Sequence, residues 1–143
     1  EGDMFSGGGR WVRYHHTKLA NAMFTVELDA RLKAQGSKVK ALVASPGIAA
    51  TNLAATTAAD GGMSGSRPPW ILGLFLQSAE DGSMPLLTCV AKPGVASGDF
   101  YNPYFGCKGP ARRRAMKERM CVDPKARKML WEESEKAVGE FKL

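Results

Sequence analysis

Residues 12–44 carry a helix pattern followed by a strand pattern, and they read VRYHHTKLANAMFTVELDARLKAQGSKVKALVA. Apolar residues recur at the three- and four-residue spacing of one helix face: Leu19, Ala22, Met23, Val26 and Ala30. The sequence predicts a helix over about 12–34, which ends before Gly36. The mostly apolar run 39–44 then predicts a short strand in a covered sheet, which Pro46 ends because proline cannot continue a central ladder.

Three further elements are predicted in the second half of the chain. A serine at the N-cap position and two acidic residues after it predict a helix over about 78–91. The run 95–101 predicts a short strand. Asp123 followed by Pro124 predicts the start of a last helix, which should end near Gly139.

The order of these elements predicts an α/β fold with a parallel sheet. Two strands are too few for such a sheet, because a parallel pair is buried on both faces and needs neighbours. We therefore predict the C-terminal half of a Rossmann-like doubly wound parallel sheet, in which residues 1–143 form part of a single domain. The chain begins with Glu1 rather than Met, so we expect that sequence precedes it. Either this sequence or another protein should cover the open sheet edge.

The composition is that of a globular protein, with 44% hydrophobic and 24% charged residues among 143. The longest strongly apolar stretch, 70–76, is far shorter than the roughly 18–20 residues that a transmembrane helix needs, and it predicts a short buried helix. Three widely spaced cysteines without a CxxC motif argue against a disulfide scaffold and a zinc ribbon. Without a transmembrane stretch we expect a soluble or peripheral protein, and the reduced thiols predict a reducing compartment, such as the cytosol or an organelle interior.

The excess positive charge lies in residues 108–128, called the basic segment here, which follow the last predicted strand. This segment has nine basic and two acidic residues, for a local charge of +7, whereas the whole chain carries +6. It lacks interleaved aromatic residues and a known reader motif, which argues against nucleic-acid binding. A solvated basic face, an acidic protein partner and an anionic surface remain as interpretations.

Tyr14 and Lys18 stand four residues apart, which places them on one helix face, one turn from each other. A tyrosine phenol is a poor acid or base at neutral pH, and an adjacent ammonium stabilises its phenolate. The same ammonium can hydrogen-bond a cofactor hydroxyl. On its own, however, a Tyr-x-x-x-Lys pattern is typical of many surface helices.

Two longer motifs surround this pair. Residues 14–28 read YHHTKLANAMFTVEL, and residues 46–51 read PGIAAT. Together they strongly resemble the second half of the short-chain dehydrogenase/reductase family, and within it the retinol-dehydrogenase-like branch. Residues 97–101 (SGDFY) and 130–135 (LWEESE) resemble the last strand and the last helix of that branch. The resemblance covers nearly the whole chain, with its motifs in the correct order.

The resemblance implies an oxidoreductase that interconverts an alcohol and a carbonyl compound, its small-molecule substrate, by hydride transfer. Tyr14 would be the general acid/base that gives a proton to the substrate oxygen or takes one from it. Lys18 would support the phenolate and bind the nicotinamide ribose. Thr17 stands where serine is commoner in the family, and either residue supplies a hydroxyl.

The same resemblance assigns a loop to the cofactor, which would be NADP or NAD. Pro46, Gly47 and Ile48 would hold its nicotinamide side through backbone groups, and Thr51 would contact its amide or phosphate. The segments implied are the active-site helix 13–35, the strand and cofactor loop 39–51, the substrate lid 52–76, and the last helices and strand 78–143.

Parts of the family pattern are not among the 143 residues. The glycine-rich phosphate-binding turn, the selector for NAD against NADP, the Asn and the catalytic Ser all lie upstream of the tyrosine in the family. Gly7-Gly8-Gly9 cannot replace the turn, because no strand precedes it. We therefore expect the chain alone to be inactive. The alternative is a non-catalytic, dehydrogenase-derived structural subunit of a larger assembly, whose basic segment meets an acidic partner.

Other candidate groups carry weaker signals. His15 and His16 are adjacent, so on a helix they point about 100° apart, which argues against a shared metal ion. Cys89 lies in an apolar predicted helix and is expected to be a buried, inert thiol rather than a nucleophile.

Overall fold

The computed structural model of the protein describes residues 9–50 and 76–143, with side chains from Val12 onward. The elements, in chain order, are α1 (Gly9–Ala34), β1 (Val43–Ala44), α2 (Ala79–Ala91), β2 (Phe100–Pro103), β3 (Ala111–Arg114), α3 (Arg119–Val122) and α4 (Pro124–Val138). The mixed α/β fold agrees with the prediction. The predicted lid and the short helix predicted within 70–76 fall almost wholly on residues outside the described ranges.

Over the described residues, the sheet contains three strands in the order β1-β2-β3. β1 runs parallel to β2, with Val43 opposite Phe100, and β2 runs antiparallel to β3, with Tyr101 opposite Arg113. The prediction of a parallel sheet is therefore right for the first pair of strands and wrong for the third strand. The connection 104–110 is too short for a parallel crossover, which needs about a dozen residues, so the chain returns antiparallel.

β3 lies inside the basic segment, so the expectation that this segment follows the last strand is wrong. Its sequence is Ala-Arg-Arg-Arg, without the β-branched and aromatic residues that are typical of strands. β3 also forms one edge of the sheet in the part of the chain that the structure describes. Charged side chains suit an edge strand because they oppose pairing with another chain.

Local end signals place the three long helices where they were predicted. α1 ends two residues before Gly36, whose φ of 68° is the left-handed conformation that favours glycine. Ser78 caps α2 by accepting a hydrogen bond of 3.0 Å from a first-turn backbone N–H. Asp123 caps α4, and Pro124 is its first residue. The glycine, the capping residues and the proline therefore predicted these helix ends correctly.

The two predicted strands begin later than expected, β1 at Val43 and β2 at Phe100. Before β1, the backbone N–H of Ala41 donates to the hydroxyl of Ser97 (2.9 Å), and the Ala41 carbonyl accepts from the N–H of Gly98 (2.7 Å). Side-chain and turn hydrogen bonds thus hold the first part of the apolar run, and the regular ladder begins only after it.

Two apolar clusters hold the helices in place. The first joins α1 to α3 and α4 through Met23, Cys121 and Ala126, beside which the rings of Phe24 and Trp131 stack with centroids 5.0 Å apart. The second joins α2 to the sheet through Cys89, Val95 and Tyr101. Cys89 is buried, as predicted. Within the described residues, no helix is both long and apolar enough to cross a membrane.

Candidate functional site

Tyr14 and Lys18 lie one turn apart near the start of α1, as their spacing predicted. The Lys18 ammonium lies 5.4 Å from the centroid of the Tyr14 ring, within the range of a cation–π contact. The hydroxyl of Thr17 donates a hydrogen bond to the Tyr14 carbonyl (2.7 Å), so this hydroxyl is bonded within α1. The Tyr14 side chain is 38% exposed.

The loop that contains Pro46, Gly47 and Ile48 directly follows β1. The Ile48 N–H donates to the Cys107 carbonyl (2.8 Å), and the Ile48 carbonyl accepts from the Gln77 N–H (3.0 Å). The Pro46 carbonyl accepts from the Gln77 side-chain amide (2.6 Å). Three backbone groups of the loop that the family resemblance assigns to a nicotinamide, the Pro46 carbonyl and the N–H and carbonyl of Ile48, are therefore bonded within the protein. A ligand contact with Ile48 would replace one of these hydrogen bonds.

Two glycines permit close approach to this loop. Gly47 has a φ of 67°, and a Cβ built there would lie 2.3 Å from the Cys107 carbonyl oxygen and 2.8 Å from Pro103 Cγ. Gly82, in α2, faces the other side, where a Cβ would lie 2.7 Å from that of Ala49. Any larger residue at either glycine would push the loop away from its neighbours.

Gln77 is a buried residue of this region that sequence reasoning missed. Its side-chain oxygen accepts from the Gly109 N–H (3.0 Å), while its side-chain nitrogen bonds the Pro46 carbonyl. The residue thus joins the cofactor loop of the prediction to the turn between β2 and β3. No local signal identifies it, because its partners lie 31 and 32 positions away in the chain.

Asp99 is a second buried polar residue that the sequence did not indicate. Its carboxylate accepts hydrogen bonds from the Ala96 N–H (3.0 Å), the Tyr101 hydroxyl (3.3 Å) and Arg113 Nε (2.6 Å). Burial by itself raises the pKa of Asp99, but these donors and the Arg113 charge outweigh it, so the pKa lies below the usual value. Burial, and then the Asp99 charge, raise the pKa of Tyr101. This network stabilises the start of β2.

The predicted site residues thus occur in two places. Tyr14 and Lys18 stand on α1, which packs against α3 and α4. Among the described residues, the hydrogen bonds that hold Pro46 and Ile48 come from Gln77 and Cys107. Thr51 lies outside the described ranges, so its predicted contact with the cofactor stays a prediction. Over residues 9–50 and 76–143, no group of three or more His, Cys, Asp or Glu side chains could hold a metal ion.

The chain is similar to a solved structure whose function is not described. No protein-family model matches the chain, and no curated protein matches it. A crystal structure of an uncharacterized protein from Mycobacterium Paratuberculosis is similar to it, with a TM-score of 0.64 and 33% sequence identity. The similarity covers 93% of this chain and 41% of that one, so the chain spans less than half the length of this relative.

Proposed function

We propose that the chain is the C-terminal part of an NAD(P)-dependent short-chain dehydrogenase/reductase that interconverts an alcohol and a carbonyl compound. The observation that carries the proposal is the pair on α1, where the Lys18 ammonium lies 5.4 Å from the centroid of the exposed Tyr14 ring. In the family that the sequence resembles, a tyrosine with a lysine one helical turn away exchanges a proton with the substrate oxygen, and the spacing of this pair matches that pattern. The length of the similar mycobacterial chain supports a role within a longer polypeptide.

The fold around the pair is compatible with this proposal. β1 and β2 are parallel, and β1 lies at an edge of the sheet as far as the structure describes it. An edge formed by a parallel strand suits pairing with further strands of a Rossmann-like doubly wound sheet. Those strands would come from sequence outside the 143 residues, and they would supply the dinucleotide-binding half.

In this proposal each residue of the pair has a separate task. When bound, NAD or NADP supplies or accepts the hydride. Tyr14 donates a proton to the substrate oxygen during reduction and removes one during oxidation. Lys18 stabilises the phenolate and offers its ammonium to the nicotinamide ribose. Both side chains are exposed, which fits a ligand that carries hydroxyl groups.

A second candidate is a non-catalytic, dehydrogenase-derived structural subunit. The observation that favours it is the loop after β1, whose Ile48 N–H and carbonyl are both bonded within the protein. In that role the loop would only pack against the turn between β2 and β3. The tyrosine–lysine pair would then be an ordinary surface pair on α1.

The test uses the full-length protein that contains this chain. We expect it to bind NAD or NADP and to oxidise or reduce a panel of alcohols and aldehydes. Tyr14→Phe should abolish turnover while dinucleotide affinity, measured by fluorescence titration, stays within about threefold, since the phenol acts on the proton rather than in binding. Tyr104→Phe is the matched control, because Tyr104 is also exposed and lies elsewhere. Turnover retained by Tyr14→Phe would exclude the catalytic assignment.

A further inference from the structure

Gln77 uses all of its polar groups to hold other segments of the chain. Its backbone N–H donates to the Ile48 carbonyl (3.0 Å), and its backbone carbonyl accepts from the Ala50 N–H (2.8 Å). The residue is only 8% exposed. It stands just before the N-cap of α2, so a rigid helix fixes where its backbone lies.

The side chain of Gln77 bridges two groups of opposite hydrogen-bonding character. Its nitrogen faces the Pro46 carbonyl, which can only accept, and its oxygen faces the Gly109 N–H, which can only donate. At neutral pH, where a carboxyl group in water is ionised, an amide is the side chain of this length that satisfies both partners at once. A carboxylate cannot donate to Pro46, and a thioether is a weak acceptor that cannot donate. The two partners therefore specify glutamine by chemistry as well as by size.

These bonds hold the loop after β1 at two carbonyl groups, which belong to residues two positions apart. Gln77 holds the carbonyls of Pro46 and Ile48, and the Cys107 carbonyl holds the Ile48 N–H between them. Through Gly109, Gln77 also fixes the turn to which Cys107 belongs. The Gln77 side chain therefore links the loop to the turn, in addition to the hydrogen bond between Ile48 and Cys107. Preformed geometry of this kind removes the cost of ordering a binding loop.

We infer that Gln77 is a positioning residue for the nicotinamide-binding loop, a role that rests on the proposed function. Gln77 acts through Pro46 and Ile48 rather than by touching substrate. Loss of its side chain leaves two backbone hydrogen bonds between Gln77 and the loop, one to the Ile48 carbonyl and one from the Ala50 N–H. The nicotinamide would then be held less accurately, and hydride transfer is sensitive to displacements of about 1 Å.

Two substitutions separate the two halves of the bridge. Gln77→Met keeps the length of the side chain and loses both hydrogen bonds. Gln77→Glu keeps an acceptor for the Gly109 N–H and loses the donor toward Pro46 at neutral pH. In the full-length enzyme we expect both variants to lower kcat/KM for the dinucleotide about tenfold. Gln35, the exposed glutamine after α1, supplies the matched controls Gln35→Met and Gln35→Glu.

The pH dependence of Gln77→Glu gives a readout that loss of packing would not. A protonated carboxyl can donate to the Pro46 carbonyl, and burial favours the protonated form. We therefore expect kcat/KM of Gln77→Glu to recover toward wild type as the pH is lowered. Gln77→Met should show no such recovery. Equal profiles for the two variants would overturn the inference.

Amide hydrogen exchange makes the test independent of catalysis. The Gly109 amide should lose protection in Gln77→Met and keep it in Gln77→Glu, because only the second variant retains an acceptor there. If wild type binds no dinucleotide, the proposed function fails and the inference fails with it. If wild type is active and Gln77→Met keeps kcat/KM within twofold despite losing Gly109 protection, only the inference fails. Melting temperatures should show that each variant is folded. If Gln77→Met does not fold, the pH dependence of kcat/KM for Gln77→Glu tests the inference by itself.

Discussion

Arg113 Nε lies 2.6 Å from Asp99 Oδ1, and this ion pair joins the edge strand β3 to the residue that precedes β2. The two side chains differ greatly in exposure, at 6% for Asp99 and 68% for Arg113. The carboxylate is buried, so removal of any of its donors leaves it poorly satisfied. Arg113 of the basic segment therefore contributes to the fold as well as to the surface charge.

The first prediction concerns the stability of the protein in acid. The folded-state pKa of Asp99 is depressed, so its ionised form stabilises the fold above the unfolded-state pKa of about 3.9. This stabilisation is lost as the pH falls through that value toward the lower folded-state pKa. Asp99→Asn should therefore lower the free energy of unfolding at pH 7. The difference from wild type should become smaller as the pH falls from about 5 to about 3. Urea unfolding midpoints at several pH values measure this difference.

The control for this prediction is Glu133→Gln. Glu133 pairs with Lys136 at 2.6 Å on the surface of α4, where both side chains are mostly exposed. Exposed pairs contribute little to stability, so this variant should follow wild type closely at every pH. A deficit of Asp99→Asn that stays constant from pH 7 to pH 3 would contradict the assignment of the stabilisation to the ionised carboxylate.

A second prediction separates Arg113 from its neighbour in β3. Arg113→Met should lower the free energy of unfolding by about 1 kcal/mol at pH 7, because Asp99 loses a charged donor that is itself largely exposed. Arg112→Met should cost less than half as much, since Arg112 contacts the exposed Tyr104 ring at 4.8 Å. Urea denaturation of both variants measures the difference. Equal losses would mean that the buried carboxylate finds another donor.

A third prediction tests the close approach at Gly47. Gly36 and Gly47 have nearly equal φ, 68° and 67°, but a Cβ meets nothing within 4 Å at Gly36 and the Cys107 oxygen at 2.3 Å at Gly47. Gly36→Ala should therefore cost about 1 kcal/mol of unfolding free energy for the left-handed backbone alone. Gly47→Ala should cost at least twice as much. Chemical denaturation gives both values, and equal costs would show that the turn moves away freely.

The sequence predicted the parts of the fold that depend on local chemistry. The end of α1 follows from Gly36, and the starts of α2 and α4 follow from Ser78 and Asp123, because each residue satisfies or terminates the nearest helical turn. β3 could not be predicted in this way. Its residues have no strand pattern, and it exists because the short turn 104–110 returns the chain along β2.

The candidate site likewise contains features that follow from local sequence and features that depend on distant partners. The contact between Tyr14 and Lys18 follows from helical spacing, and the structure contains it. The roles of Gln77 and Asp99 depend on partners that only the folded chain brings close, such as Gly109 for Gln77 and Arg113 for Asp99. A glutamine before a helix and an aspartate before a strand are common on protein surfaces, so their burial could not be read from the sequence.

The last prediction tests whether the basic segment binds an acidic partner, one of the interpretations of its charge. Arg113 is excluded because it pairs with Asp99, so the charge reversals are Arg112→Glu and Lys117→Glu, both at exposed positions. If the segment is a binding surface, the double variant should bind polyglutamate at least threefold more weakly at low salt. The difference should disappear at high salt, because exposed charges interact over only about 8–10 Å at physiological ionic strength.

The control for the charge reversals carries the same change in net charge at another place. Lys38→Glu with Lys92→Glu alters two exposed lysines outside the basic segment. Fluorescence anisotropy with labelled polyglutamate, over a series of salt concentrations, compares the two double variants with wild type. Polyglutamate binding that falls equally in both would mean that net charge alone attracts the peptide, since long-range attraction depends on total charge. A loss confined to the Arg112 and Lys117 variant would place the acidic partner on the basic segment, because only a local contact distinguishes two surfaces of equal charge.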